Sequence, residues 1–190
     1  MNKLILIVAA CLVITACKKD RFEPEPPVIS FGGWNYFPLG VNGRDSLVEL
    51  VINFKDRNGD IGRIESDLYD KCGIQINDLY IYYEKKENGV YLPAYETDPD
   101  DPLDSTLDNN CVVIPGSYIY TKQISFIRAL EYIQPEGNNQ SIEGEIIYKL
   151  NYESALSRIN TFPAGRCRVF LMDRARNKSN EIYTEDLFVH

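Results

Sequence analysis

From Val28 onward, apolar and polar residues alternate with a period of two. Asp45 to Phe54 is the strongest case: Val48, Leu50, Ile52 and Phe54 fall on one face, and Leu47, Glu49, Val51 and Asn53 on the other. Ser141 to Asn151 repeats the pattern, with Ile142, Ile146, Tyr148 and Leu150 on one side and Glu143, Glu145 and Lys149 on the other. Successive side chains of a strand point to opposite faces, so these segments form an apolar face only when extended. No long segment with a 3.6-residue period competes. Thirteen tyrosines and eight phenylalanines reinforce the bias, because aromatic rings suit the pleated surface of a sheet.

Further strands follow from the same pattern and its punctuation. Val28 to Phe31 reads as a first short strand broken by Gly32-Gly33, with Trp34 to Pro38 as an aromatic corner or a second edge piece. Asp78 to Lys86 and Val90 to Tyr95 flank Glu87-Asn88-Gly89 as a hairpin. Glu96 to Asn110 is a long acidic loop, and Cys111 to Ile114 a short strand ending at Pro115-Gly116. Tyr118 to Tyr132 runs long enough for a bulge or bend, and Pro135 to Gln140 is a turn. Tyr152 to Asn160 fits one helical turn, and Arg166 to Asp173 and Glu181 to Val189 are the last strands. Short strands with turn signals every ten or so residues predict an all-β, two-sheet sandwich over 28–190. The absence of internal repeats argues against a propeller or solenoid.

The start of the chain is of a different kind. Lys3 precedes an uncharged run from Leu4 to Ala16, closed by Ile14-Thr15-Ala16-Cys17. Thirteen residues are too few to span a bilayer, which needs ~20, and the layout is that of an export signal over 1–16. Small residues before a cysteine predict cleavage and acylation of Cys17, which would anchor the chain through more than one lipid chain. Residues 17–27 then form a lipidated spacer, stiffened at Phe22 to Pro27 by alternating glutamate and proline. Two lysines after Cys17, rather than an aspartate, resemble bacterial lipoproteins sorted to the outer membrane. The mixed charges from Lys18 to Glu23 resemble export tags of Bacteroidota surface lipoproteins, which favours the cell-surface side.

Two further stretches carry a resemblance. Asp173-Arg174-Ala175-Arg176-Asn177-Lys178-Ser179-Asn180, followed by Thr184, resembles the D-x-A-G-N-x-S-N…T ending of bacterial immunoglobulin-like modules, with Arg176 where those have glycine. Phe54 to Gly62 resembles the F-x-D-x-D-G-D-I-G segment of Bacteroidota outer-membrane lipoproteins, and Ser141 to Ile146 resembles their I-x-G-x-I strand. The resemblance implies an immunoglobulin-like antiparallel β-sandwich and an envelope address. It brings no activity and no catalytic residue.

Two loops have the composition of a cation site. Asp56, Asn58 and Asp60 place oxygens at alternate positions of a tight loop, and Asp67 stands twelfth from Asp56, where a calcium loop puts its bidentate carboxylate. Ile61 occupies the sixth position, which the sharp turn reserves for glycine. The competing reading is a turn whose Asx side chains cap their own backbone. Glu96 to Asp108 holds six carboxylates, and reads as an open loop kept apart by repulsion, a second cation site, or a contact for a basic partner.

Cys72, Cys111 and Cys167 remain after the leader and Cys17. One disulfide with a spare thiol and three buried thiols are both open; Cys72 and Cys111, each beside a loop, are the first pair to join. No Cys/His cluster suggests zinc. A net charge of −8 argues against nucleic acid. The single histidine is His190, and no nucleophile elbow, zincin or phosphate-loop motif is present. The expectation is a non-catalytic, lipid-anchored accessory subunit of an outer-membrane complex. A glycan-binding module using Trp34, Tyr36, Tyr82 and Tyr83 as a stacking platform is the alternative, and a hydrolase the remote one.

Overall fold

β2 (Asp45–Asp56) organises the first of two layers. It lies between β1 (Val28–Pro38) and β8 (Ile142–Asn151), antiparallel to both, with Leu50 opposite Trp34 on one side and Tyr148 on the other. Val48, Leu50, Ile52 and Phe54 are buried and the residues between them half-buried, as the alternation requires. The computed structural model describes residues 25–38, 45–98, 100, 102–135, 141–151, 155–159 and 164–187. The leader 1–16, the lipidation residue Cys17, most of the spacer, His190 and the expected turn from 136 to 140 lie outside the described residues.

The second layer runs β10-β9-β3-β4. β3 is Leu79–Glu87, β4 Val90–Pro93, β9 Gly165–Leu171 and β10 Ile182–Tyr183. β7 (Ser125–Arg128) pairs with the first half of β3, and β4 with the second half. Leu79, Ile81 and Tyr83 of β3 and Cys167, Val169 and Leu171 of β9 point inward and join the apolar face of β2 in one core. The chain is an all-β, antiparallel sandwich. It runs β1–β2 in the first sheet, β3–β4 in the second, returns to the first for β8, and ends in the second with β9 and β10.

Three chain segments meet where the second sheet divides. Tyr83 N donates to Ile124 O (2.9 Å), Ile124 N to Ala94 O (2.8 Å), and Ala94 N to Tyr83 O (3.3 Å). This ring satisfies the backbone groups at the point where two neighbours leave β3. Those neighbours continue as β5 (Tyr95–Thr97) and β6 (Thr121–Gln123), which pair with each other. The strand expected from Tyr118 to Tyr132 is thus two, with its bend at buried Ile124.

Other boundaries differ from expectation. Gly32-Gly33 does not end β1: a register shift between Phe31 and Gly33 bulges it, and the strand continues to Pro38. Cys111 to Ile114 is not a strand; only the isolated bridge Leu107–Val113 forms there. β10 is two residues long, followed by one bridge from Leu187 to Gly165.

The residues from Asp173 to Thr184 are structural. Asp173, buried, accepts from Asn177 N and Nδ2 (2.7 Å each) and so closes the turn, in which Arg176 adopts φ 68° where a glycine would be unstrained. Ser179 Oγ accepts from Leu171 N. Asn180 accepts from Ile29 N (2.8 Å) and donates to Ile29 O (2.9 Å), so one amide side chain stands in for a strand and links the two sheets. Thr184 Oγ1 accepts from Cys167 N. Each side chain thus satisfies a backbone group that no strand ladder pairs.

Candidate functional site

The feature that the sandwich does not need for its own core is the excursion between β5 and β6. It folds back on itself as an irregular arm. Asp98 N donates to Tyr120 O, Leu103 N to Ile119 O, and Ile114 N to Thr106 O, while Ser117 Oγ accepts from Thr106 N and donates to Thr106 O. Its tip is a tight turn in which Asp108 Oδ1 accepts from Asn110 N (2.8 Å) and Val112 N (3.0 Å). These bonds hold the Asp108 carboxyl below the usual range.

A second turn receives the tip. Asp70 Oδ1 accepts from Cys72 N (2.8 Å) and Ile74 N (2.9 Å), the same arrangement as at Asp108. Cys72 and Cys111 are joined by a disulfide, with their Cα atoms 5.1 Å apart, and Lys71 Nζ donates to Asn109 O. Cys167 is a buried free thiol in β9. At the base, Arg158 Nε donates to Glu96 Oε2 (2.8 Å). Four of the six carboxylates expected to hold this loop open by repulsion thus have partners of their own. Asp98, Asp104 and Asp108 accept from their own backbone and Glu96 is neutralised by Arg158.

Arm and turn expose large apolar side chains. Val112 is 61% exposed and Tyr95 58%, and Ile114, Tyr118, Tyr120, Tyr69 and Ile74 are also exposed. The disulfide therefore holds together two turns that carry several large apolar side chains in water.

The Asp56 loop is a self-capped turn. Asp56, buried, accepts from Asn58 N (3.2 Å) and Asp60 N (2.8 Å) with its two oxygens. Asn58 Nδ2 donates to Glu25 O and Arg57 pairs with the Glu25 carboxylate, so this end of the spacer is fastened to the sandwich rather than standing clear of it. Asp67 is held by Arg174, whose bonds keep its carboxyl below the usual range. Of the four residues expected to share a calcium ion, Asp56, Asn58 and Asp67 are thus bonded to backbone, spacer and Arg174. Among the described residues no group of three or more His, Cys, Asp or Glu side chains is arranged to hold a metal. With Asp67 taken by Arg174, the twelfth-position carboxylate of a calcium loop is not available to the other three.

What the loop does hold is a crowd of carboxylates that sequence spacing could not reveal. Arg174 N donates to Asp60 O, which brings Asp173 beside the loop. Burial pushes the Asp60 carboxyl up to about 6, and the charges of Asp173 and Asp56 add to the effect. Asp60 Oδ1 is buried without a hydrogen-bond partner. Nearby, Arg63 Nε donates to Asp78 Oδ1 (2.8 Å) in a buried ion pair, and burial raises Asp78 above its ordinary value against that attraction.

The aromatic platform is not assembled. Tyr83 lies fully in the core, and Tyr82 points out of the same sheet beneath Arg168. Trp34 and Tyr36 belong to β1 in the other sheet, with Trp34 Nε1 bonded to Glu185 O. Adjacent strand residues face opposite ways, which separates Tyr82 from Tyr83. Compared with known proteins, the chain matches no protein-family model, no curated protein and no solved structure.

Proposed function

We propose that this is a non-catalytic, lipid-anchored lipoprotein of the outer membrane that serves as an interaction subunit of a membrane-protein complex, with the stapled arm as its contact surface. The observation that carries the reading is the arm: a disulfide fixes its tip while Val112, Tyr118 and Tyr120 stay in water. The disulfide suits an exported protein, since such bonds persist in oxidising compartments. The export-type leader and Cys17 supply the anchor in this reading. An immunoglobulin-like assignment is part of the proposal and rests on the strand order. β1-β2-β8 and β10-β9-β3 correspond to the A-B-E and G-F-C strands of that architecture, with β4 beside C.

The test is affinity purification of the full lipidated chain from gently solubilised native membranes, alongside a Val112→Ser/Tyr118→Ser variant. A stoichiometric membrane protein that co-purifies with the parent and is lost from the variant supports the reading. Recovery of the parent alone overturns it.

A further inference from the structure

β8 closes the first sheet: among the described residues its one partner strand is β2. An open strand edge is a template for another strand, and the outward face of β8 selects which one. In an antiparallel pair related by a two-fold axis through Ile147, residues equally spaced on either side of Ile147 face each other. Ile147 then meets Ile147 of the second copy, and Glu145 and Lys149 each meet the other's counterpart. Two ion pairs flank one apolar contact.

The side chains are available for it. Ile147 is 50% exposed. Glu145 is exposed and meets no charged partner among the described residues, and Lys149 reaches Glu49 only at 3.7 Å with most of its side chain in water. Glu143, the other acid on this face, is already bound by Lys55 at 3.1 Å. Moving the axis by one residue either way sets Ile147 against a charge, Glu145 or Lys149. On the inner face, Ile146 would meet Tyr148 of the second copy. The edge itself borders a slot of about 340 Å³ between Ile146 to Lys149 of β8 and the segment from Arg128 to Glu131.

We propose that the protein self-associates through β8. The second copy's β8 adds antiparallel across an axis at Ile147 and joins the two three-stranded sheets into one. The occupant is argued from charge complementarity: an edge that reads Glu145-Ile147-Lys149 is its own antiparallel complement.

The test uses the full chain in non-denaturing detergent. Ile147→Cys should give a disulfide-linked dimer under mild oxidation, while Lys55→Cys, exposed on β2, should not. In sedimentation, Glu145→Lys should weaken the parent's dimer on the order of tenfold by setting two lysine pairs face to face. Glu145→Lys/Lys149→Glu, which restores both pairs in reverse, should recover it. A parent that is monomeric at all concentrations overturns the proposal. So does an Ile147→Cys chain that cross-links no better than the control, a dimer indifferent to Glu145→Lys, or a double variant that fails to recover.

Discussion

Replacing Asp60 by asparagine should stabilise the protein at neutral pH and have little effect in acid. The Asp60 carboxyl is raised from 3.8 to about 6, chiefly by burial and then by the charges of Asp173 and Asp56. A carboxyl whose pKa is higher in the folded state than in the unfolded chain favours folding when protonated. Its ionisation therefore costs stability as pH rises from about 4 to about 6, with the full cost present above that window. The whole shift corresponds to about 3 kcal/mol at 1.36 kcal/mol per unit. Asp60 is only partly buried and solvent screens part of this, so about 1–2 kcal/mol is expected. Asparagine has the same shape, carries no charge, and can donate to Asp56. Urea unfolding of parent and variant at pH 4, 5, 6 and 7.5 measures the difference at each pH. The gain should appear between pH 4 and 6 and level off above. A gain that is constant across the range, or a variant weaker than the parent at pH 7.5, would refute the electrostatic argument.

Three further outcomes follow from the geometry. Cys72→Ser/Cys111→Ser releases a loop closed over 39 residues, and chain entropy puts the loss at roughly 3–4 kcal/mol if the whole constraint counts toward folding; limited proteolysis should cut the arm first, and a cleavage pattern identical to the parent's would count against the staple. Gly62→Ala should destabilise by about 2 kcal/mol or more, because Gly62 sits at φ +81° and an added Cβ would lie 2.1 Å from Glu131 O; a melt like the parent's would contradict the close approach. Chelator should leave the melting temperature unchanged, since Asp56, Asn58 and Asp67 are bonded to backbone, spacer and Arg174; a rise of several degrees with added calcium would show that the loop rearranges around the ion.

The Asp56 loop shows where local reading stops. Within one loop, the choice between metal site and self-capped turn depends on where each carboxylate points. Asp67 is turned aside by Arg174, and Asp173 is brought beside Asp60, both from more than a hundred residues away in sequence. The Asp70 and Asp108 turns repeat the Asp56 pattern, in which one carboxylate takes N–H groups two and four residues on, yet they have no motif beyond an aspartate before a turn. The acidic arm differs from expectation at Asp98, Asp104 and Asp108 for the same reason. Its carboxylates count as repulsive charges in a list, but as acceptors once the backbone folds around them.

What the sequence determined by itself is the periodic part. The faces of β2 and β8 could be written down from alternation, because a strand's side chains have a fixed period of two that needs no knowledge of neighbours. It also carried the cysteine pair to be tried first and the residues of the turn from Asp173 to Asn180. Only the tertiary structure decided which strands pair, and that β3 divides its edge between β7 and β4. It also decided that the excursion folds back as a stapled arm and that β8 is left at an edge. Pairing is a property of two segments brought together across the chain, and register, edge and burial exist only after that meeting.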